Sequence, residues 1–301
     1  MNSFFRGFVC LCLFCAVCGA FLFIGPRFFP EWAYIPFKIN PVALARGPLR
    51  LHWYGLMYAV AFLLVYGLVR YRLNREKWEI VPNQIDDFFT WGMAGVLAGG
   101  RLGYVLFYNL SYFLKHPWEA FIPLQADGHG WYFGLYGMSY HGGLIGVAAA
   151  FYLFSRKYKL NVWSMADLFV PVIPLGYAFG RIGNFINGEL YGRVTSAPWA
   201  MIFPMDPLRQ PRHPSQLYEA AFEGFFLFIT LWTLRQIPQL RGKFFGLYLL
   251  GYGLVRFVLE YFREPDVQIG YLLAGLTLGQ ILCLIMIVAG AGFAFRRQIY
   301  V

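Results

Sequence analysis

Long apolar runs constrain this chain more than any other feature of its sequence. A helix needs about 20 mostly apolar residues to cross the hydrocarbon core of a bilayer. The runs that approach this length are Phe8–Ile24, Leu51–Val69, Phe88–Phe107, Trp131–Phe154, Ala166–Phe185, Gln216–Leu234, Phe244–Phe262 and Tyr271–Phe295. Backbone polar groups find no water inside lipid, so we expect each run to be helical. The sequence therefore predicts an all-α, polytopic membrane helix bundle.

The composition also indicates an integral membrane protein. Of the 301 residues, 59% are hydrophobic and 13% are charged, whereas about 25% are charged in an ordinary soluble domain. The net charge of +10 comes mostly from basic residues in short clusters between the apolar runs. That pattern orients a protein against anionic lipid. Membrane lipid is therefore an expected partner, and nucleic acid is not.

Basic clusters alternate along the chain and predict its orientation. They follow the second, fourth, sixth and last runs, and their members are Arg70, Arg72, Arg75, Lys77, Arg156, Lys157, Lys159, Arg235, Arg241, Lys243, Arg296 and Arg297. By the positive-inside rule these ends are cytoplasmic, and so is the C-terminus. The long loop at about 185–214 then lies outside as a small external cap. The cations Arg27, Lys38, Arg46 and Arg50 do not fit this scheme.

The first 26 residues are expected to form a hydrophobic leader. Arg6 precedes an apolar run that ends in small residues near Gly19 and Ala20, a layout shared by membrane anchors and signal peptides. A misassigned start would also explain the segment. Residues 27–301 then form the membrane-embedded domain, which has seven spans, or eight if the leader is retained. No internal repeat and no soluble second domain is evident.

The segment Arg181–Arg193 places cation, amide and carboxylate groups at the end of an apolar run. A charge at bilayer depth costs several kcal/mol, about 3 on insertion scales, so it usually serves a polar ligand. Arg181 and Asn184 share one helix face, and the following turn allows the Glu189 carboxylate to approach them. A guanidinium matches phosphate oxygens in a two-pronged contact, so the segment predicts an anionic headgroup site. An internal Arg181–Glu189 ion pair is the structural alternative.

A second cationic face lies in the seventh run. Tyr252, Arg256 and Glu260 recur every four residues and therefore line one side of the helix. The sequence Arg263-Glu264-Pro265-Asp266 then ends the helix with more charge. Arg256 and Glu260 have the spacing of a self-neutralising pair, which is the structural alternative to a site.

His141 lies in the interior of an expected span, and it precedes Gly142 and Gly143. Glycines let a lipid or a neighbouring backbone approach closely. The residue pattern leaves two interpretations open. His141 is either a base or ligand-orienting group, or it makes an interhelical hydrogen bond beside packing glycines.

Two further motifs carry polar groups near helix ends. In Arg212-His213-Pro214-Ser215-Gln216-Leu217-Tyr218-Glu219, Ser215 is expected to cap the sixth span and Glu219 to lie one turn inside it. In Leu51-His52-Trp53-Tyr54-Gly55, the aromatic residues are typical of an interfacial belt.

Read together, these motifs resemble the bacterial phosphatidylglycerol–prolipoprotein diacylglyceryl transferases. The likeness runs from Phe29-Pro30-Glu31 to the last span and includes His-Trp-Tyr-Gly, His-Gly-Gly-Leu and the Arg181–Arg193 segment in the family's order. The leader is the departure from the family pattern. The resemblance implies transfer of a diacylglyceryl group from phosphatidylglycerol to the lipobox cysteine thiol in the signal peptide of a pre-lipoprotein. A thioether forms and glycerol phosphate is released.

The resemblance also implies roles for individual residues. The expected catalytic residues are His141, Arg181, Arg256 and Tyr54. The expected substrate-binding residues are Arg181, Asn184, Glu189, Tyr252, Glu260, His213 and Glu219. No metal and no organic cofactor is expected, since the two substrates supply every bond that changes. The expected location is the bacterial plasma (inner) membrane, with the active site toward the outer face.

Two other classes of function stay open on the sequence alone. A transporter of anionic lipid would also place arginines at membrane depth, although such folds often contain repeats. A structural membrane assembly factor would use the same charges only for stability.

Overall fold

Helices make up most of the described part of the chain. The computed structural model describes residues 3–46, 49–78, 80–120, 124–127, 130–133, 137–264, 272 and 275–295. In chain order the helices are α1 (Ser3–Phe28), α2 (Ile35–Lys38), α3 (Trp53–Arg75), α4 (Pro82–Phe107), α5 (Leu110–Lys115), α6 (Tyr140–Lys157), α7 (Val162–Phe169), α8 (Ile173–Asn187), α9 (Ser215–Glu219), α10 (Leu227–Leu234), α11 (Phe244–Leu259) and α12 (Leu278–Phe295). A π-helical segment, Ala220–Phe226, joins α9 to α10. Short 3₁₀ turns occupy Trp32–Tyr34, Pro117–Ala120 and Pro238–Leu240.

Two β-hairpins add to this helical pattern. The first pairs β1 (Val42–Arg46) with β2 (Leu49–His52), and the second pairs β3 (Leu124–Asp127) with β4 (Gly130–Phe133), both antiparallel. The sequence predicts a helix from Trp131 onward, and this is wrong, because α6 begins only at Tyr140. Aromatic residues suit strands as well as apolar helices, so hydrophobicity did not separate the two at this point.

Several of the described helices are long and apolar enough to cross a membrane. They are Gly7–Phe28, Trp53–Arg75, Ser215–Leu234 and Leu278–Phe295. A fifth span results if α7 and α8, which are bent by 51° at a short break, count as one. The chain is thus a mostly helical, multi-pass membrane protein, and the finer count of seven or eight spans stays a prediction.

The expected span Ala166–Phe185 is not one straight helix. α7 ends at Phe169 and α8 begins at Ile173 with a proline in its first turn. Pro171 and Pro174 explain the break, because proline lacks the N–H that a continuous helix needs and clashes with the preceding turn.

The last span also starts later than expected. Its predicted first residue, Tyr271, lies outside the described residues, as do Pro265, Asp266, Arg296 and Arg297. α12 begins at Leu278, and Thr277 precedes it. The backbone N–H of Gln280 donates to the Thr277 hydroxyl at 3.2 Å, and the Gln280 side chain accepts from the Thr277 N–H at 3.1 Å. This capping box sets the start of the helix.

The chain divides into two compact units. The first contains Met1–Val69 and Ala166–Val301, and the second contains Arg70–Met165. In the second unit α4 packs on α6 through glycines. A Cβ at Gly142 would lie 2.9 Å from the Gly103 Cα, and a Cβ at Gly146 would lie 2.9 Å from the Gly99 Cα. The close approach expected near His141 is confirmed, and it is a backbone-to-backbone contact between helices.

Small residues bring helices together in the first unit too. Gly224 of the π-helical segment lies against Ala178 of α8, where a Cβ would come 2.8 Å from the Ala178 Cα. Gly246 of α11 likewise contacts Gly290 of α12. A Cβ added at Gly246 would lie 2.8 Å from the carbonyl oxygen of Gly290. These contacts set α8 beside the π-helical segment and α11 beside α12.

A small hydrophobic core anchors the loop that follows α8. Trp32, Phe185, Met201 and Phe203 are buried together. Trp32 also donates from Nε1 to the carbonyl oxygen of Trp199 at 3.1 Å. The loop at about 185–214, expected as an external cap, is therefore tied to the residues that follow α1.

Candidate functional site

Arg181 lies at the centre of the polar face of α8. Its Nε donates to the hydroxyl of Tyr177, one turn earlier, at 2.7 Å, and its Nη1 lies 3.3 Å from Oδ1 of Asn184. The guanidinium carbon also stands 4.8 Å from the centre of the Tyr177 ring. Residues three and four apart on a helix are neighbours, so the local sequence alone produces this grouping.

A single buried carboxylate receives the Arg181 side chain from another helix. Oε2 of Glu219, at the end of α9, lies 2.7 Å from Nε of Arg181. Oε1 of the same carboxylate lies 3.4 Å from Nη1 of Arg256 on α11, and it also accepts from Nη1 of Arg263. The Glu219 side chain is only 1% exposed. Three guanidinium groups thus share one carboxylate in the described structure.

Glu223, one helical turn after Glu219, supplies a second buried carboxyl group. Its side chain is 0% exposed, and Oε1 lies 3.5 Å from Nη1 of Arg256. Its Oε2 accepts a hydrogen bond from the Tyr177 hydroxyl. Neither Glu223 nor Tyr177 was expected from the sequence. The signal was there, because two glutamates four residues apart inside an apolar run face the same side of a helix.

Glu260 completes the group from the end of α11. Its Oε2 lies 3.1 Å from Nη2 of Arg256 and 3.5 Å from Nε of Arg263, and its Oε1 accepts from the Thr277 hydroxyl at 3.0 Å. The pairing of Arg256 with Glu260 predicted from spacing is therefore present. We call Arg181, Arg256, Arg263, Glu219, Glu223 and Glu260 the arginine–carboxylate cluster.

Exposure is divided unevenly within this cluster. The side chains of Arg181, Arg256 and Arg263 are 18%, 14% and 17% exposed, whereas those of Glu219 and Glu223 are 1% and 0% exposed. Glu219 and Glu223 are thus the most deeply buried members, and the guanidinium groups are partly accessible. An incoming group would meet cationic N–H donors, which suits an anion such as a phosphate.

Asn184 and Glu189 extend the cluster along α8. Gly188 ends the helix with a φ of 71°, a left-handed conformation that glycine adopts without strain. The chain therefore turns back, and Oε1 of Glu189 accepts from Nδ2 of Asn184 at 2.7 Å. The alternative of an Arg181–Glu189 ion pair is wrong, because Arg181 pairs with Glu219.

Tyr54 and Tyr252 lie beside the same helix. A Cβ at Gly183 would be 3.0 Å from Cδ2 of Tyr54, so the absence of a side chain there lets the Tyr54 ring approach α8. The Tyr54 hydroxyl lies 3.0 Å from that of Tyr58. The Tyr252 ring meets the edge of the Tyr177 ring at a centroid distance of 5.9 Å.

His213 lies in the loop just before α9. Its Nδ1 is 3.0 Å from the Tyr218 hydroxyl, which accepts from Nε1 of Trp199 at 2.6 Å. After accepting from Trp199, the hydroxyl retains one proton and one lone pair, so it pairs with His213 in either ring tautomer. Burial lowers the pKa of His213, so the neutral ring is favoured. Its ring also packs on Phe262, next to Arg263.

The expected cap of the sixth span differs from the prediction. Ser215 is the first residue of α9 rather than its cap, and its hydroxyl donates to the Leu190 carbonyl at 3.0 Å. The Gln216 side chain donates to the Glu189 carbonyl at 2.5 Å. Both side chains hold the turn after α8 against the start of α9 and so help to place Glu189.

The loop after α8 also fixes Arg263. Nε of Arg193 donates to the Arg263 carbonyl at 2.7 Å, and Gly192 forms a β-bridge with Arg263. Farther along the loop, Arg212 is buried and pairs with Asp206 at 2.7 Å. The hydrogen bond from Arg212 lowers the pKa of the Asp206 carboxyl group and raises that of Arg212.

His141 belongs to the second unit, in the first turn of α6, and its side chain is exposed. Ser139 caps this helix by accepting from the N–H of Gly142 at 3.2 Å. The other expected site residues belong to the first unit, where they gather around the cluster. Their roles, and that of His141, stay predictions. Among the described residues, no group of three or more His, Cys, Asp or Glu side chains is placed to hold a metal ion.

Comparisons with known proteins agree with each other. A family model described as "Prolipoprotein diacylglyceryl transferase" matches residues 41–296. A Chlorobaculum tepidum protein named phosphatidylglycerol–prolipoprotein diacylglyceryl transferase is 51% identical over 262 residues, which cover 87% of this chain and 91% of the relative. Proteins of the same name from Bordetella parapertussis and Legionella pneumophila (strain Paris) are 48% and 45% identical, and the matches cover 85% and 84% of this chain and 94% and 95% of those relatives.

Proposed function

The chain belongs to the prolipoprotein diacylglyceryl transferase family, and from this premise we propose that its arginine–carboxylate cluster binds the phosphate of phosphatidylglycerol. The protein is a transferase that moves the diacylglyceryl group of phosphatidylglycerol onto a prolipoprotein. The acceptor is the thiol of the lipobox cysteine in the signal peptide of the pre-lipoprotein. The products are a thioether and glycerol phosphate.

One observation carries the assignment of the phosphate site. Arg181 and Arg256 come from different helices, meet on the same buried carboxylate and keep their guanidinium groups partly accessible. Two such groups side by side offer the paired N–H donors that a phosphate diester accepts. The low dielectric around them strengthens that contact relative to water.

The reaction requires charge stabilisation more than any other aid. The thiol sulfur forms a bond to a glycerol carbon of the lipid while the bond from that carbon to a phosphate ester oxygen breaks. The electron pair of the broken bond stays on the phosphate, which leaves with one more negative charge. Arg181 and Arg256 are proposed to bind this group more tightly as the charge develops, which lowers the barrier.

The thiol must also lose its proton, because the thiolate is the nucleophile. A thiol with an ordinary pKa near about 8.5 is mostly protonated at neutral pH. His141 is proposed either to accept this proton or to orient the lipid. Tyr54, which lies against α8 beside Asn184, is proposed to act near the same reacting groups.

The remaining residues are assigned supporting roles. Asn184, Glu189, Tyr252 and Glu260 are proposed to orient the two arginines. Glu219 holds both guanidinium groups, and His213 is proposed to contact the substrate from the loop before α9. No metal or organic cofactor enters the proposal, since the lipid and the peptide supply every bond that changes.

The proposed topology follows the charge pattern. Residues 27–301 cross the plasma (inner) membrane seven times, with an eighth span if residues 1–26 are retained. The C-terminus is cytoplasmic, and the site opens toward the outer face beside the external loop at about 185–214. Both substrates then reach the site laterally from the bilayer.

The proposal is tested with purified protein, phosphatidylglycerol and a lipobox peptide. Transfer yields a peptide heavier by one diacylglyceryl group together with glycerol phosphate, whereas a transporter or a structural protein yields neither. Arg256→Ala should abolish both products. Arg70→Ala is the matched control, because Arg70 pairs with Asp86 at 3.2 Å outside the cluster. Near-normal activity of Arg256→Ala would remove the cluster from the proposed site.

A further inference from the structure

Tyr177, which is partly buried, and Glu223, which is fully buried, lie next to the two arginines. We infer that this pair consists of positioning residues, which hold Arg181 and Arg256 in one phosphate-binding orientation. The inference rests on the proposed function of the cluster. It assigns a role to two residues that neither the sequence motifs nor the proposed reaction uses.

The Tyr177 hydroxyl is engaged in two directions at once. It accepts from Nε of Arg181 at 2.7 Å and donates to Oε2 of Glu223. A hydroxyl has one proton to give, so donating to Glu223 leaves its lone pairs facing Arg181. This geometry restricts the guanidinium to one orientation, which the stacking of Arg181 over the same ring supports.

Glu223 continues this connection to the second arginine. Its other carboxyl oxygen lies 3.5 Å from Nη1 of Arg256. The path Arg181–Tyr177–Glu223–Arg256 therefore joins α8, the π-helical segment and α11. It is a second connection between the arginines beside the one through Glu219, and the two approach each other at the Tyr177 hydroxyl, which lies 3.3 Å from Oε2 of Glu219. A flexible guanidinium held at two points loses less freedom when it binds a ligand, which favours binding.

The backbone explains why the two residues meet. Gly224, the neighbour of Glu223, lies directly against Ala178, the neighbour of Tyr177. A larger residue at position 224 would separate the π-helical segment from α8 and break the contact between the tyrosine and the glutamate. π-Helical turns are rare and occur often at functional sites, which agrees with a local function for this segment.

The effect of Glu223→Gln on anion binding differs in sign according to whether Glu223 acts through its charge or by positioning the arginines. The cluster contains three guanidinium and three carboxyl groups, so losing a carboxylate makes it more cationic. If Glu223 acted only through charge, anions would then bind more tightly. If Glu223 positions the arginines, the same change weakens anion binding, because the guanidinium groups lose their shared orientation.

The test measures steady-state kinetics and inhibition by glycerol phosphate, the phosphate-bearing product. The variants are Tyr177→Phe, Glu223→Gln and the double variant. We expect kcat/KM for phosphatidylglycerol to fall, and the inhibition constant of glycerol phosphate to rise, by about tenfold or more, the scale of a lost charge-assisted hydrogen bond. KM for the peptide should stay near its wild-type value. The double variant should lose little more than the worse single variant, since both changes remove one connection.

Tyr191→Phe is the matched control, because it removes the same group from a tyrosine whose hydroxyl donates to the Met205 carbonyl at 3.4 Å, outside the cluster. It should behave as wild type. Tyr177→Phe keeps the ring that packs on Tyr252, so it carries the test even if Glu223→Gln does not fold. Unchanged or tighter glycerol phosphate inhibition in the folded variants would overturn the inference. Loss of activity in Arg256→Ala with normal Tyr177→Phe would overturn only the inference, whereas normal Arg256→Ala would overturn the proposed function.

Discussion

Arg181 and Arg256 contact opposite oxygens of one carboxylate. Nε of Arg181 lies 2.7 Å from Oε2 of Glu219, and Nη1 of Arg256 lies 3.4 Å from Oε1. Two guanidinium groups that contact the same carboxylate are close enough to repel each other in a medium of low dielectric. The buried glutamate between them offsets that repulsion and keeps both cations ready for one anionic ligand.

Glu219→Gln should reduce activity by about 100-fold or more, because breaking a buried ion pair leaves uncompensated charge at a cost of about 3–5 kcal/mol. The melting temperature should fall as well. The measurement combines the transfer assay with a thermal melt in detergent. Asp86→Asn is the control, since Asp86 pairs with Arg70 in the second unit and both side chains are exposed or partly exposed, at 48% and 35%. Wild-type activity of Glu219→Gln would contradict a role for this carboxylate.

His141→Gln should lower the transfer rate without abolishing it, because an amide retains hydrogen bonding but accepts no proton. The decisive measurement is the pH dependence of kcat/KM, which reports the essential acid and base of the free enzyme. If His141 is the base, the variant loses the rise in rate on the acidic limb of the profile. If His141 orients the lipid, the limb remains and KM for phosphatidylglycerol increases. A complete loss of turnover would contradict the prediction that the variant retains activity.

Gly142→Ala should lower the melting temperature, because an added Cβ would meet the backbone of Gly103 on α4. Overpacking of this kind costs about 1–3 kcal/mol. Gly92→Ala on α4 is the matched control, since a Cβ there would have nothing within 4 Å. Thermal melts of both variants in the same detergent make the comparison. Equal stability of the two variants would show that the α4–α6 contact tolerates a methyl group.

The pair of Asp206 and Arg212 should make stability depend on pH. The folded state lowers the pKa of Asp206, so the unfolded state binds its proton more readily. The stabilisation is therefore present in full above the unfolded pKa of about 3.9 and is lost as the pH falls toward the folded value. The melting temperature of wild type should exceed that of Asp206→Asn at pH 7, and the difference should shrink on acidification. A difference that does not change with pH would contradict this account.

Local sequence was enough to predict several contacts around the cluster. Tyr252, Arg256 and Glu260 were placed on one helix face by their spacing, and Arg256 does pair with Glu260. The turn at Gly188 was expected to bring Glu189 back toward α8, and Glu189 accepts from Asn184. Contacts between residues three to five positions apart follow from helix and turn geometry, so no knowledge of the fold was required.

The predicted helix boundaries were wrong where they had been taken from hydrophobicity alone, without the residues that start or end a helix. Trp131 lies in a strand, the fifth run is broken near Pro171 and Pro174, and the last helix begins after the capping box at Thr277. Hydrophobicity indicates that a segment avoids water, but it does not specify the backbone conformation of that segment. The prolines and the capping box were readable from the sequence and would have corrected two of these boundaries.

The amino-acid sequence by itself determined that the chain is a membrane protein with arginines inside its apolar runs, because apolar length and charge spacing are properties of the chain. Which groups from other segments face those arginines was decided only by the tertiary structure. Glu219 reaches Arg181, and Glu223 reaches Tyr177, because Gly224 packs on Ala178 and so holds the π-helical segment against α8. Such a meeting depends on side-chain packing between segments distant in sequence, and no local pattern encodes it.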